Sequence, residues 1–248
     1  MLKKKRILIS QPRPDTTHSP YFDIEKNRGV EIIFRPMIKV EPISEKDYRY
    51  GNGPTIKGYT AVIFTSKHGV VNFFRLIKEL RAEIPDDMKY FCSTGAIAAY
   101  LQNFIEYRKR RVFYPETNKF EDLERSFKRH KENYLLVTAD VADMKIQNFL
   151  TGIGIQFTRS VMYRTVSNDF TPEEPFDSDM LVFFSPQGIL SLKKNFPDFE
   201  QGDIKIAVHG ETTQKVAKEA GLTIHIQLPH EKFKSMPDAI DDYLKNNK

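Results

Sequence analysis

Hydroxyl side chains stand at matching places along this chain. Thr65-Ser66, Ser93-Thr94, Thr138, Ser185 and the pair Thr212-Thr213, preceded by His209-Gly210, each follow a short apolar run and lead into a helical pattern. At such a corner the side-chain oxygens, the first backbone N–H groups of the helix and the positive end of its dipole face one space, which suits a carboxylate or phosphate. The same residue types also cap helices with no ligand present. Several corners sharing the pattern favour a ligand site over capping alone.

The apolar runs say what positions these corners. Ala61–Val70 is nearly repeated by Met180–Ile189: a short unalternated apolar run, a serine, two polar residues, a glycine and a helical pattern. Unalternated runs of this length suit strands buried on both faces, as in parallel sheets. Each copy is followed by a second strand-to-helix corner, Lys89–Leu101 and Lys205–Ala217. Two related α/β halves are thus expected.

Along the chain, the pattern predicts strands at 6–10, 30–34, 60–65, 89–93, 111–113, 134–138, 180–184, 204–208 and 223–227. Helices are expected after Ser19-Pro20 (ending at Arg28-Gly29), near 69–82, 96–104 and 120–131, after Asp140 and Asp143, and at 187–195, 211–220 and 235–245. Residues 44–58, with Gly51, Gly53, Pro54 and Gly58, read as a loop, and 169–178, with Pro172 and Pro175, as a linker. The extended stretches 35–42 and 155–167 are expected to pair as an antiparallel ribbon. The fold class is α/β: two doubly wound parallel-sheet domains, one inserted into the other and joined by a two-stranded β linker. Residues 1–36 with 171–248 form the discontinuous domain, 48–158 the inserted one, and 37–47 with 159–170 the connecting strands. Ligands are expected in a cleft between the domains, beyond the carboxyl ends of the strands.

Composition narrows the function classes. With 248 residues, 40% hydrophobic and 29% charged, the chain suits a soluble globular protein. Its single cysteine, Cys92, lies in an apolar run, reads as a small buried hydrophobe and suits a reducing cytosol. No apolar run approaches the roughly 18 residues of a membrane span. The basic lead-in Lys3–Arg6 precedes only Ile7-Leu8-Ile9, too short for a signal core, and reads as solvated. The net charge of +5 is scattered, without a nucleic-acid motif, so neither nucleic acid nor membrane is an expected partner. One cysteine and six scattered histidines form no metal-ligand cluster. No dinucleotide fingerprint, P-loop or nucleophile elbow occurs. Any reaction should need neither metal nor covalent nucleophile.

In order, these phrases resemble the uroporphyrinogen-III synthase family. The resemblance rests on Phe64-Thr65-Ser66-Lys67-His68-Gly69-Val70 and its counterpart Phe183-Phe184-Ser185-Pro186-Gln187-Gly188-Ile189. It continues through Val161-Met162-Tyr163-Arg164-Thr165, through Ile206-Ala207-Val208-His209-Gly210-Glu211-Thr212-Thr213 with Ala220-Gly221 after it, and through Ser235-Met236-Pro237-Asp238-Ala239-Ile240. Two places depart from the family pattern. Cys92–Ile97 has Thr94 and Ile97 where a glycine and a threonine are usual, and Ser10-Gln11-Pro12-Arg13-Pro14 moves the early arginine by two residues.

The resemblance implies hydroxymethylbilane as substrate, loss of its terminal hydroxyl to give an azafulvene, and closure through a spiro intermediate that inverts the last ring. It implies no cofactor and no metal, a cytoplasmic monomer, and room for transient contact with hydroxymethylbilane synthase. A polycarboxylate held by many weak donors fits the hydroxyl corners. Tyr163 is the expected catalytic group, giving a hydrogen bond or proton to the departing hydroxyl. Expected substrate contacts are Arg13, Thr65, Ser66, Lys67, Ser93, Thr94, Ser185, Gln187, Gly188, His209, Gly210, Thr212 and Thr213. His68, Lys145 and Arg164 are further candidate carboxylate partners. The competing readings are a non-catalytic two-lobed binder of a tetrapyrrole or other polyanion and, resting on charge alone, a nucleic-acid binder.

Overall fold

Buried strands and the helices that cover them account for nearly every apolar run. The computed structural model describes residues 4–51, 53–117, 119–141, 144–170 and 177–247. Lys3, Asp143, Pro172 and Pro175 lie outside them. In order the first elements are β1 (Arg6–Ile9), α1 (Pro20–Arg28), β2 (Glu31–Phe34), β3 (Ile38–Pro42) and α2 (Glu45–Tyr50). Then come β4 (Ala61–Phe64), α3 (Lys67–Leu80), β5 (Lys89–Cys92), α4 (Gly95–Leu101), β6 (Val112–Phe113), α5 (Glu124–Arg129), β7 (Tyr134–Ala139) and α6 (Met144–Gly152). The chain closes with β8 (Phe157–Ser167), β9 (Met180–Phe183), α7 (Pro186–Asn195), β10 (Lys205–His209), α8 (Glu211–Glu219), β11 (Ile224–Leu228) and α9 (Met236–Asn246).

Two compact units result, Met1–Lys39 with Val166–Lys248, and Val40–Thr165. The first unit holds a five-stranded sheet in the order β11-β10-β9-β1-β2, every pair parallel. Successive side chains leave opposite faces: Ile7 and Ile9 pack with Tyr21, Ile24 and Ile240 of α1 and α9, while Leu8 packs with Ile189, Leu192 and Ala217 of α7 and α8. Helices on both faces make this sheet doubly wound.

The second unit repeats the plan, with strand order β3-β8-β7-β4-β5-β6 and parallel pairing from β8 to β6. Val62 and Phe64 pack beneath α3 and α4, and Ala61 and Ile63 over α5 and α6. α3 forms because Val70, Phe73, Leu76 and Ile77 recur at helical spacing and bury one stripe, and because Ser66 caps its start. Each such fully buried side chain stabilises the fold by about 1.5–3 kcal/mol. β3 lies beside β8; the bonds Ile43 N–H to Met162 O (3.1 Å) and Asn168 N–H to Met37 O (2.9 Å) run in opposite chain directions, an antiparallel pair.

Some local expectations change. Within 44–58, read as loop, Ser44 caps α2, Arg49 pairs with Glu45, and buried Tyr48 anchors the turn of helix to the core. The expected helix near 120–131 is a 3-10 turn, Phe120–Leu123, followed by the six-residue α5. α4 stops at Leu101, short of the expected Phe104. Cys92 is a buried thiol, as its apolar surroundings imply, and burial pushes its pKa up to about 12.

Candidate functional site

In an open parallel sheet, the crevice where strand order reverses is the place a ligand can reach backbone on both sides. In the second unit the chain runs β4, β5, β6 outward one way and β7, β8 the other, so the reversal lies between β4 and β7. In the first unit it lies between β1 and β9. The serines of the repeated phrase, Ser66 and Ser185, follow β4 and β9 at these two reversals.

Ser66 is fixed twice. Its Oγ accepts from Gly69 N–H at 2.9 Å, capping α3, and lies 2.7 Å from the Tyr163 hydroxyl. Tyr163 reaches it from β8 with only 6% of its surface exposed. Burial pushes the phenol's pKa up; the Ser66 bond opposes this and Asp140 adds to it. The phenol therefore keeps its proton through the neutral range and is available to give a hydrogen bond, but is no ready acid. The exposed His68 ring lies 6.2 Å from the Tyr163 ring, and Lys67 Nζ sits 5.3 Å above the ring of Tyr100.

Next along the rim, Ser93 Oγ donates to Thr65 O at 3.4 Å, tying the ends of β4 and β5 together. Thr94 Oγ1 accepts from Ile97 N–H at 3.3 Å and caps α4. Tyr114 packs beside Gly95, so the first turn of α4 is screened by an aromatic ring. Thr138 is buried. Asp140, expected to serve the start of the following helix, instead accepts from Thr165 N–H at 3.0 Å while its own N–H bonds Tyr163 O at 3.1 Å. Those bonds depend on strand pairing distant in the chain, so no local spacing announced them.

In the first unit, Ser185 Oγ accepts from Gly188 N–H at 3.3 Å and caps α7, with Pro186 in its first turn. Gly188 is close-packed: a β-carbon there would meet Phe183 at 3.3 Å and the hydroxyls of Ser185 and Ser10 at 3.7 and 3.8 Å. Ser10, at the end of β1, thereby belongs to this corner; its sequence signal was only a hydroxyl after an apolar run. Gln187 is half-buried beside it. His209 is exposed and stacks on Phe184 at 6.2 Å. Gly210 (φ 92°) turns the chain into α8 with its N–H on Leu228 O at 2.7 Å, and α8 has no side-chain cap. Thr212 is exposed, whereas Thr213 is buried at 2%. Neither threonine caps the helix.

Arg13 is seated on aromatic rings, its guanidinium 4.9 Å over the Phe22 ring and 6.0 Å from Phe34. Lys145 and Arg164 are exposed. A 510 Å³ cavity between α1 and α9 and a 620 Å³ cavity lined by Tyr48, Arg49, 53–58 and 80–85 contain none of the corner residues. Among the described residues no cluster of His, Cys, Asp and Glu could hold a metal ion, and no helix is long and apolar enough to cross a membrane.

Comparison with known proteins adds the family. A solved uroporphyrinogen-III synthetase from Helicobacter pylori is similar with a TM-score of 0.60 at 16% identity, over 98% of this chain and 99% of that one. A mutant uroporphyrinogen III synthase from Thermus thermophilus gives 0.49 at 13%, over 97% and 98%. No curated protein sequence matches the chain. The family model described as uroporphyrinogen-III synthase HemD matches residues 23–238. That span takes in both units and both serine corners, and the chain belongs to the uroporphyrinogen-III synthase family, enzymes of tetrapyrrole biosynthesis.

Proposed function

We propose that this chain cyclises hydroxymethylbilane to uroporphyrinogen III as a cofactor-independent lyase, with Tyr163 and Ser66 at the centre of the chemistry. The observation that carries the reading is their 2.7 Å bond at the strand reversal of the second unit. Either hydroxyl can be the donor in that bond. In the proposed mechanism Ser66 donates its hydrogen bond to the Tyr163 oxygen, and the phenol proton is turned to the leaving hydroxyl. As the pyrrole nitrogen pushes its electron pair toward the hydroxymethyl carbon, the C–O bond breaks, the pyrrole N–H proton passes through solvent to the departing oxygen, and water leaves a neutral azafulvene, the oxygen stabilised by the phenol's hydrogen bond as it goes. The azafulvene is attacked by the substituted carbon of the far ring. The resulting spiro compound reopens and recloses with that ring inverted, and the proton lost from the closing carbon balances the one returned to the pyrrole nitrogen.

Because burial raises the phenol's pKa, Tyr163 orients and stabilises the departing oxygen more than it ionises. Positioning then supplies most of the acceleration. Thr65, Lys67, Ser93 and Thr94 of the second unit, and Ser185, Gln187, Gly188, His209, Gly210, Thr212 and Thr213 of the first, are proposed as carboxylate contacts. Thr212 is favoured over Thr213 by its exposure, and Arg13 would contribute from its aromatic seat. The reading includes a monomer working in the cytoplasm. Incubating the purified protein with freshly prepared hydroxymethylbilane and resolving product isomers tests it. Type III uroporphyrinogen is expected; type I alone, the spontaneous product, would leave a binding protein.

A further inference from the structure

The parallel ladder between β7 and β8 runs evenly from Tyr134–Phe157 to Thr138–Val161, then jumps so that Ala139 pairs with Tyr163. β8 therefore carries one extra residue. Its mark is that Met162 and Tyr163, neighbours in the chain, are both buried in the core beneath α3, which a regular strand's alternation forbids. A bulge of this kind re-aims the side chain that follows it. Here that side chain is the one bonded to Ser66.

A bulge leaves backbone groups outside the ladder, and these must be satisfied. Arg159, on the same strand, lays its fork along the end of β7. Its Nε donates to Thr138 Oγ1 at 3.0 Å, and its Nη2 donates to Ala139 O at 2.9 Å and Asp140 O at 2.7 Å. Asp140 is then held from the other side, by Thr165 N–H on its carboxylate and by its own N–H on Tyr163 O. Arg159 thus grips the strand end to which the Tyr163 backbone is tied. Its planar fork reaches three acceptors together, which a lysine ammonium cannot reproduce in that geometry.

We propose that Arg159 is a positioning residue for the reaction, clamping the bulge that aims the Tyr163 hydroxyl. The inference rests on the assignment of Tyr163 to the departing hydroxyl, and the test separates the two. Arg159→Met keeps the stem and removes the fork, Arg159→Lys keeps the charge, and each is made alone and with Tyr163→Phe. In the otherwise unchanged protein, Arg159→Met should lower kcat about tenfold or more, with KM moving less than about twofold. Arg159→Lys should recover little of it, and in the Tyr163→Phe background both substitutions should become nearly silent. An unchanged kcat in both single variants, or the same loss with and without the phenol, would overturn the proposal. Should Arg159→Met fail to fold, the lysine variant carries the same comparison. A carbon-13 label at the tyrosine ring gives a readout independent of turnover: the Tyr163 resonance should shift in both Arg159 variants. If Tyr163→Phe is itself fully active, the chemical role of Tyr163 falls, and this resonance alone decides the clamp, an unmoved signal refuting it.

Discussion

Replacing Ser66 by alanine removes two bonds with different meanings, and its twin Ser185 provides the control. Loss of the cap on Gly69 N–H should cost about 1 kcal/mol. The Tyr163 hydroxyl, on a side chain 6% exposed, then loses its partner, adding about 1–3 kcal/mol. Ser185→Ala loses only a longer cap bond, 3.3 Å, on a helix whose first turn Pro186 already preorganises, so about 0.5–1 kcal/mol is expected. The difference should be about 1–3 kcal/mol. It should shrink to a few tenths when Ser66→Ala is made in Tyr163→Phe, because the phenol whose stranding is costly has gone. Two units need not unfold together, so a single global transition is the wrong assay. Hydrogen exchange at the amides of Phe73 and Ile77 in α3, against Leu192 in α7, reports each corner separately. Equal costs at the two serines, or a Ser66→Ala cost unchanged by Tyr163→Phe, would refute the claim that this bond ties β8 to the α3 corner.

Other consequences concern single features. Gly210→Ala should destabilise the first unit by about 1–2 kcal/mol, since φ of 92° suits only glycine, read as a lowered denaturant midpoint for that unit. Thr212→Val should raise KM severalfold with kcat and α8 helicity unchanged, because Thr212 is exposed and does not cap. Burial works against ionisation of Glu132, but the hydrogen bond of Lys89, 2.5 Å away, that of Thr60, and the charges of Lys89 and His130 outweigh it, so its folded pKa is lowered. The unfolded chain then binds the proton first. This stabilisation is complete above the ordinary glutamate range and is lost as pH falls through the folded value. Glu132→Gln should flatten that part of the acid limb of an unfolding profile.

Much of this was legible because buried parallel strands write themselves as unalternated apolar runs, as Ala61–Phe64 and Met180–Phe183 do, with their serines in capping positions. The cap of Ser44 was equally local, yet Gly51, Gly53 and Pro54 just beyond it masked the short α2, which holds through the packing of Tyr48. Arg13 carries no sequence mark of its place on Phe22 and Phe34, since those rings lie in α1 and at the end of β2. For the threonines of α8, expected as substrate contacts with capping the alternative, the turn at Gly210 starts the helix without a side-chain cap. Least legible was the device around Tyr163. Register between β7 and β8 depends on residues more than twenty positions apart, and one extra residue in a strand leaves no trace in hydropathy.

The most direct test of the central claim is the turnover of hydroxymethylbilane by Tyr163→Phe beside the unaltered protein, with KM and product isomers read together. Removing one hydroxyl, with Ser66 still capping α3, should reduce formation of the type III isomer by about 10²–10⁴-fold, leave KM within a few-fold and allow the type I isomer to accumulate. Full type III turnover without the phenol would contradict the assignment of the departing hydroxyl to the Tyr163–Ser66 pair.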